Sequence, residues 1–232
     1  MKPRALLIDA LGTMVELEPP WERLSEALRV PADRRLVAAV RTEMAYYKRH
    51  AHEGRDAQSL AGLRRRCAEL VSRELGLEVT VPTLMDSIRF RPYDDAAPAL
   101  RAARAAGLKT VCVSNWDVSL PEVLSRCGLG ELLDGVVTSA GAGARKPDPR
   151  IFEAALELAG CRAEEAVHVG DTPEEDVAGA RAAGIPALLL AREGGGDIAS
   201  LAELPERLGL GPVGGGAASG AEGRGGAGRG AR

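Results

Sequence analysis

Asp9 closes an apolar run at the N-terminus and is followed by Ala10, Leu11, Gly12 and Thr13. A carboxylate and then a Gly at the end of such a run is how a buried parallel strand presents a nucleophile at its C-terminal end. An unperturbed Asp has a pKa of ~3.9, so Asp9 is expected to be ionised. Three further clusters carry matching chemistry. Ser114 and Asn115 end a second apolar run and offer a hydroxyl and an amide to an anion. Lys146 stands ahead of Pro147, Asp148 and Pro149. Asp148 fits a helix N-cap and Pro149 the first helical position, which leaves Lys146 just before a helix N-terminus, a region favourable to anions. Its ammonium supplies a point charge for a phosphate or carboxylate. Gly170, Asp171 and Asp176 follow another apolar run, and Thr172, Pro173 and Glu175 fit the N-cap, N1 and N3 positions of a capping box. Asp171 and Asp176, brought near Asp9, could hold a hard cation through oxygen ligands.

These residues need strands to carry them. Short apolar runs at 5–8, 110–114, 135–139, 166–170 and 186–190 alternate with Ala-, Leu- and Glu-rich helical patterns. That alternation predicts a parallel sheet covered on both faces, a doubly wound α/β core. Gly107 and Gly184 each end a helical pattern just before a strand, where a positive φ costs Gly little. Residues 18–90 differ. They show helical patterns at 21–29, 32–52, 55–75 and 83–90 and no convincing strand, so an all-helical insertion is expected between the first and second core strands. The core is then 1–17 with 91–210. The tail, 211–232, holds 10 Gly in 22 residues and is expected to stay disordered, because it cannot bury enough apolar surface to offset its ordering entropy.

Composition narrows the function classes. The chain has 232 residues, 45% of them hydrophobic and 27% charged, an ordinary globular balance. A net charge of -3 without a basic stripe argues against nucleic-acid binding driven by phosphate contacts. No apolar stretch approaches the ~20 residues of a membrane span, and the N-terminal run lacks a signal-peptide pattern. A cytoplasmic protein, monomeric or weakly dimeric, is expected. Cys67, Cys112, Cys127 and Cys161 are scattered, without metal-site or disulfide spacing. His168 lies inside a strand pattern and reads as a packed core residue.

The order and spacing of the four clusters together are distinctive. The chain resembles the haloacid dehalogenase-like hydrolase superfamily, whose four motifs match Asp9 to Thr13, Ser114 with Asn115, Lys146 with Pro147, and Gly170 to Asp176. The resemblance implies a Rossmann-like core and makes the insertion at 18–90 a cap domain. It implies that Asp9 attacks phosphorus, that Lys146 assists catalysis, and that Thr13, Ser114, Asn115 and Lys146 bind the phosphorylated substrate. It implies a Mg²⁺ site from Asp9, the Leu11 backbone carbonyl, Asp171 and Asp176. One residue departs. Phosphatases of the superfamily carry an Asp general acid and base where this chain has Leu11. Hydrolysis of a small phosphorylated metabolite is the expected function, weakened or made selective by Leu11. The alternatives are an L-2-haloacid dehalogenase-like hydrolase, whose halide leaves without a proton, and a binding module that has lost turnover. Substrate specificity is expected from polar residues of the second cap helix: Arg41, Tyr46, Tyr47, Lys48, Arg49, His50 and His52. Arg41 and Lys48 are expected on one face, and Glu43, Tyr46 and His50 on another.

Overall fold

The computed structural model describes residues 2–210; the expected disordered tail, 211–232, lies outside the described residues. The chain runs through β1 (Ala5–Ile8), β2 (Val15–Glu18), α1 (Pro20–Leu28), α2 (Arg34–His50), α3 (Ala57–Leu75), α4 (Val81–Ser87) and β3 (Arg89–Pro92). It continues through α5 (Ala96–Ala105), β4 (Lys109–Ser114), α6 (Leu120–Arg126), β5 (Gly135–Thr138), α7 (Ser139–Ala142) and α8 (Pro149–Ala159). The last elements are β6 (Ala166–Gly170), a π-helical stretch (Pro173–Ala178), α9 (Gly179–Ala182), β7 (Ala187–Leu189) and α10 (Leu204–Arg207).

Strands β1, β4, β5, β6 and β7 form one parallel sheet in the order β5-β4-β1-β6-β7. All five expected core strands are in it. β1 is central, and all four of its residues are buried because both faces are covered. Leu6 and Ile8 point into a core shared with Leu100 of α5 and Leu120 and Leu124 of α6. Ala5 and Leu7 point the other way, onto Ile151, Phe152 and Ala155 of α8 and Ala180 of α9. Period-two alternation thus feeds two cores from one strand, which is the physical content of a doubly wound sheet. The chain ends of β1, β4 and β6 meet at one edge, and the order changes direction at β1, so the crevice opens beside Asp9.

The helices between β2 and β3 have their own core. Leu24, Leu36, Val40, Leu63, Val71 and Leu84 bury one another without residues of the sheet. Asp33 caps α2 by accepting the Arg35 and Leu36 N–H groups, and Asp56 with Ser59 forms a capping box on α3.

One element corrects the sequence reading. Residues 83–90 were expected to be helical, and no strand was expected before the second core strand. Helix α4 stops at Ser87, and Arg89–Pro92 pairs antiparallel with Val15–Glu18. The cause is local: Arg89, Phe90 and Arg91 alternate polar, apolar, polar, and Glu16 lies opposite Arg91, with 2.7 Å between their charged groups. A four-residue run was too short to be seen against the helical pattern before it. The ribbon carries both crossings between the sheet and the helices.

A second clamp sits beside it. Arg192 makes a paired contact with the Asp95 carboxylate at 2.9 and 3.0 Å, donates to the Thr13 carbonyl at 2.7 Å, and lies 3.6 Å over the Tyr93 ring. Asp95 also accepts from the Ser200 hydroxyl and the Leu201 N–H. Burial alone would raise the Asp95 carboxyl, but the hydrogen bonds from Arg192, Ser200 and Leu201 outweigh it and hold it below the usual carboxylate range. A depressed folded pKa contributes stability that is present above the unfolded value of ~3.9 and is lost as pH falls through the folded one. Asp95→Asn should therefore cost about 1–3 kcal/mol in urea unfolding at neutral pH. The gap from the parent should close below pH ~4; a gap that stays constant there would refute the ionic role.

Candidate active site

Four chain segments bring their side chains to the open edge of the sheet. At the end of β1, the Asp9 N–H donates to the Val169 carbonyl at 2.9 Å, which ties it to β6. The chain then turns sharply. Gly12 has φ of +83°, and a Cβ there would collide with the Asp171 carboxylate. Glycine is therefore required both for conformation and for the approach of Asp171. From the loop before α8, Lys146 reaches inward. Its Nζ donates to Asp9 Oδ1 at 2.6 Å and to Asp176 Oδ1 at 2.5 Å, and all three side chains are almost fully buried.

Asp176 is held from several sides. Its Oδ1 also meets His168 Nε2 at 2.9 Å, and its Oδ2 accepts the Thr172 N–H at 3.0 Å. A Cβ at Gly170 would run into this carboxylate. Burial would raise the Asp176 carboxyl, but Lys146 and His168 outweigh it and drive it well below its ordinary value. Burial raises Asp9, and the Lys146 charge opposes that without overcoming it. Burial would strip the proton from Lys146, but the two carboxylates hold it fully protonated. Asp171 is pushed up to about 6, by burial first and then by the charges of Asp9 and Asp176.

Carboxylate oxygens of Asp9, Asp171 and Asp176 lie within 4.8 Å of one another. Hard oxygen donors at that spacing, with mutual repulsion that a cation would relieve, suit a hard divalent ion. Asp171 has the freest carboxylate of the three, its one side-chain contact being the Thr172 hydroxyl at 3.4 Å.

The other expected site residues divide. Ser114 is buried, and its hydroxyl beside Asp9 helps to stabilise the carboxylate. Asn115 spends its polar atoms on scaffolding. Its Oδ1 accepts the Lys146 N–H at 2.8 Å, and its Nδ2 donates to the Lys146 carbonyl and to Glu175 Oε2. Thr13 is fully buried and off the cleft wall, with no partner for its hydroxyl. Its carbonyl is what Arg192 holds. Asp148 does cap α8, accepting the Arg150 N–H. The capping box expected at Thr172 is absent. The stretch is π-helical, the Thr172 side chain makes no cap, and Glu175 turns to Asn115 and Arg145. Asp176 accepts a backbone N–H in its place, because the wider turn brings its carboxylate back over Thr172. His168 is a core residue as expected, edge-on to Phe152 and aimed at Asp176.

Above these groups lies a cleft of about 870 Å³ between the sheet edge and the helices. Glu43, Met44, Tyr47 and Lys48 of α2 line it. Tyr46 stacks on His50 at 4.2 Å, as expected of residues on one face, and receives a bond from Arg66, while it is Tyr47, not Tyr46, that lines the cleft with Glu43. Tyr47 donates to Asp117 at 2.7 Å, and the Val118 N–H donates to Gly54, so helices and sheet touch directly. Asp117 had no role in the sequence reading, and Glu175 had only that of a capping residue. Their one available signal is position, three residues after Ser114 and one before Asp176.

A buried carboxylate, a lysine and a crowded acidic pair meet at the edge of this sheet. The chain belongs to the haloacid dehalogenase-like hydrolase family, whose model matches residues 3–184. Haloacid dehalogenase-like hydrolase domain-containing protein 3 of Bos taurus is 45% identical over 98 residues, covering 42% of this chain and 39% of that one. The phosphoserine phosphatase of Thermus thermophilus is 40% identical over 105 residues, covering 45% and 42%. The chain thus spans about two fifths of the length of the curated relatives it matches. L-2-haloacid dehalogenase from Xanthobacter autotrophicus shares the fold, with a TM-score of 0.66 at 21% identity over 90% of this chain and 99% of that one.

Removing Lys146 would leave two buried carboxylates facing each other. Lys146→Met should destabilise by about 3–5 kcal/mol in denaturant unfolding. Gly170→Ala should cost about 1–3 kcal/mol by displacing Asp176. A loss under about 1 kcal/mol for Lys146→Met would mean that water screens these charges.

Proposed function

We propose that the protein is a Mg²⁺-dependent phosphohydrolase that acts on a small phosphorylated molecule through an aspartyl-phosphate on Asp9. The observation that carries this reading is the buried Asp9–Lys146–Asp176 array with Asp171 beside it. Asp9 is the nucleophile, at the floor of the cleft. An ammonium has three donors, and two are used on carboxylates, so Lys146 keeps one for a phosphoryl oxygen. Ser114 offers a hydroxyl to the same group. Asn115 positions Lys146 rather than touching substrate. Asp9, Asp171 and the Leu11 carbonyl would hold Mg²⁺ with Asp176 behind them, and the ion would supply positive charge where two anions must meet. The helices α1–α4 act as a cap that bounds the substrate cavity, in line with the Tyr47–Asp117 contact.

Leu11 favours a second reading, that of a dehalogenase, because halide needs no proton. The Asp171 charge weighs against it. A haloacid brings its own carboxylate, which three neighbouring carboxylates would repel.

Hydrolysis of acetyl phosphate should require Mg²⁺, stop with EDTA, and be lost in Asp9→Asn. Mg²⁺ should also raise the melting temperature of the parent, but not of Asp171→Asn. Leu11→Asp should raise turnover of alkyl phosphates by about 10²–10⁴-fold, the usual worth of a general acid and base. Turnover that survives EDTA would sink the proposal, and halide release from L-2-chloropropionate would replace it with the dehalogenase reading.

A further inference from the structure

Among the described residues, two large apolar side chains are exposed, Leu11 and Leu158, and Leu11 is 42% exposed on the cleft wall beside the nucleophile. The wall beyond it carries more apolar than polar surface, although Lys48, Arg64, Arg89 and Arg126 also line the cleft. Phe90 and Trp116 pack with ring centroids 5.0 Å apart, and Met44, Met85 and Ile88 continue the surface from the helices. Glu43, the one acid of α2 on this wall, is itself buried, and burial favours its neutral form. A phosphate and a three-carbon polar body would fill a small part of about 870 Å³ and would leave this surface wet. Two independent features therefore constrain the same substrate group. The wall asks for an apolar body. The missing proton donor asks for a leaving group that departs as an anion.

We infer that the substrate is a phosphorylated aromatic acid: an aryl phosphate, or the acyl phosphate of an aromatic carboxylic acid. The inference rests on the phosphohydrolase reading and specifies it. An Asp9 oxygen bonds to phosphorus, and the bond from phosphorus to the leaving oxygen breaks. Its electron pair leaves on the phenolate or carboxylate, which needs no proton to depart. Water then attacks phosphorus, releases inorganic phosphate with its proton going to solvent, and restores the Asp9 carboxylate. Phenols ionise near pKa ~10, whereas alkanols lie several units higher, so a cyclohexyl ester of the same size is the stringent control.

The test is kcat/KM with Mg²⁺ on matched pairs. Phenyl phosphate should exceed cyclohexyl phosphate by about 100-fold or more, the scale of general-acid assistance. Benzoyl phosphate should exceed acetyl phosphate by about 10-fold or more, the scale of apolar discrimination in a pocket. Leu11→Asp should shrink the first ratio most, and reduce the second as well, because Leu11 is itself part of the apolar wall. Met44→Gln should shrink the second and leave the first, and Met85→Gln serves if Met44→Gln fails to fold. The parent ratios decide the matter without either variant. Turnover of acetyl phosphate equal to that of benzoyl phosphate, or of cyclohexyl phosphate equal to that of phenyl phosphate, overturns the inference and leaves the phosphohydrolase reading standing. No phosphate released from any of the four overturns both.

Discussion

The Lys146 ammonium, buried between Asp9 and Asp176, is the constraint around which this molecule is arranged. A lone charge at such depth would be neutralised or driven to the surface. Here two carboxylates hold it, one from the end of β1 and one from the π-helical stretch that follows β6. The central position of β1 and its neighbour β6 bring the two together, because Asp9 is already tied to Val169 by a backbone bond. Asn115, just past the end of the other neighbour β4, grips the Lys146 backbone from the opposite side. Gly170 makes room for Asp176, and Gly12 makes room for Asp171. Buried ion arrays of this kind are poor sources of net stability. On the proposed reading the array has another use, because a carboxylate held beside a cation, dry and oriented, would be a prepared nucleophile.

The helices serve the same edge by another route. Both crossings run through one antiparallel ribbon of four residues a side, and Arg192 pins the Thr13 turn next to it. The turn that carries Leu11 and Gly12 is thus fixed from below by the sheet and from the side by Arg192. The helices contribute the opposite wall of the cleft, touching the sheet edge at Tyr47 with Asp117 and at Gly54 with Val118. That wall has its own hydrophobic core, separate from the residues around Lys146.

Much of this was legible in the sequence, for identifiable reasons. The five core strands stand out because a parallel strand covered on both faces is a continuous apolar run, as 5–8 and 166–170 are. Asp9, Lys146 and Asp171 could be placed because each follows such a run or precedes a Pro-marked helix. What failed were features decided by tertiary contact. The β2–β3 ribbon is too short to register against the helical pattern that precedes it. The capping box at Thr172 had the right residues, but the lysine and histidine beside Asp176 drew the turn into a π-helix. Asn115 has the chemistry of an anion donor, and only its actual partners show that its donors are spent on the scaffold. The face of α2 that meets the cleft could not be chosen from helical spacing alone, since Tyr46 and Tyr47 are adjacent and equally amphipathic.

Leu11 unites these levels. On the surface of a soluble domain an exposed leucine is ordinary. Beside the proposed nucleophile Asp9 it is not, because on that reading it stands where a proton-transfer group would be and adds apolar surface at the same point. A site that lost only the acid would favour any activated phosphate, and one that gained only apolar wall would favour any greasy one. The conjunction selects for both properties in one leaving group. On the phosphohydrolase reading it would also shape the second half of the reaction, since the water that would cleave an aspartyl-phosphate would lack the same base. First and second steps are then slowed unequally: a stable anion relieves the first, and nothing in the leaving group relieves the second. An enzyme built this way would accumulate its phosphorylated form with its best substrates, and the leaving group would be felt in kcat/KM rather than in kcat.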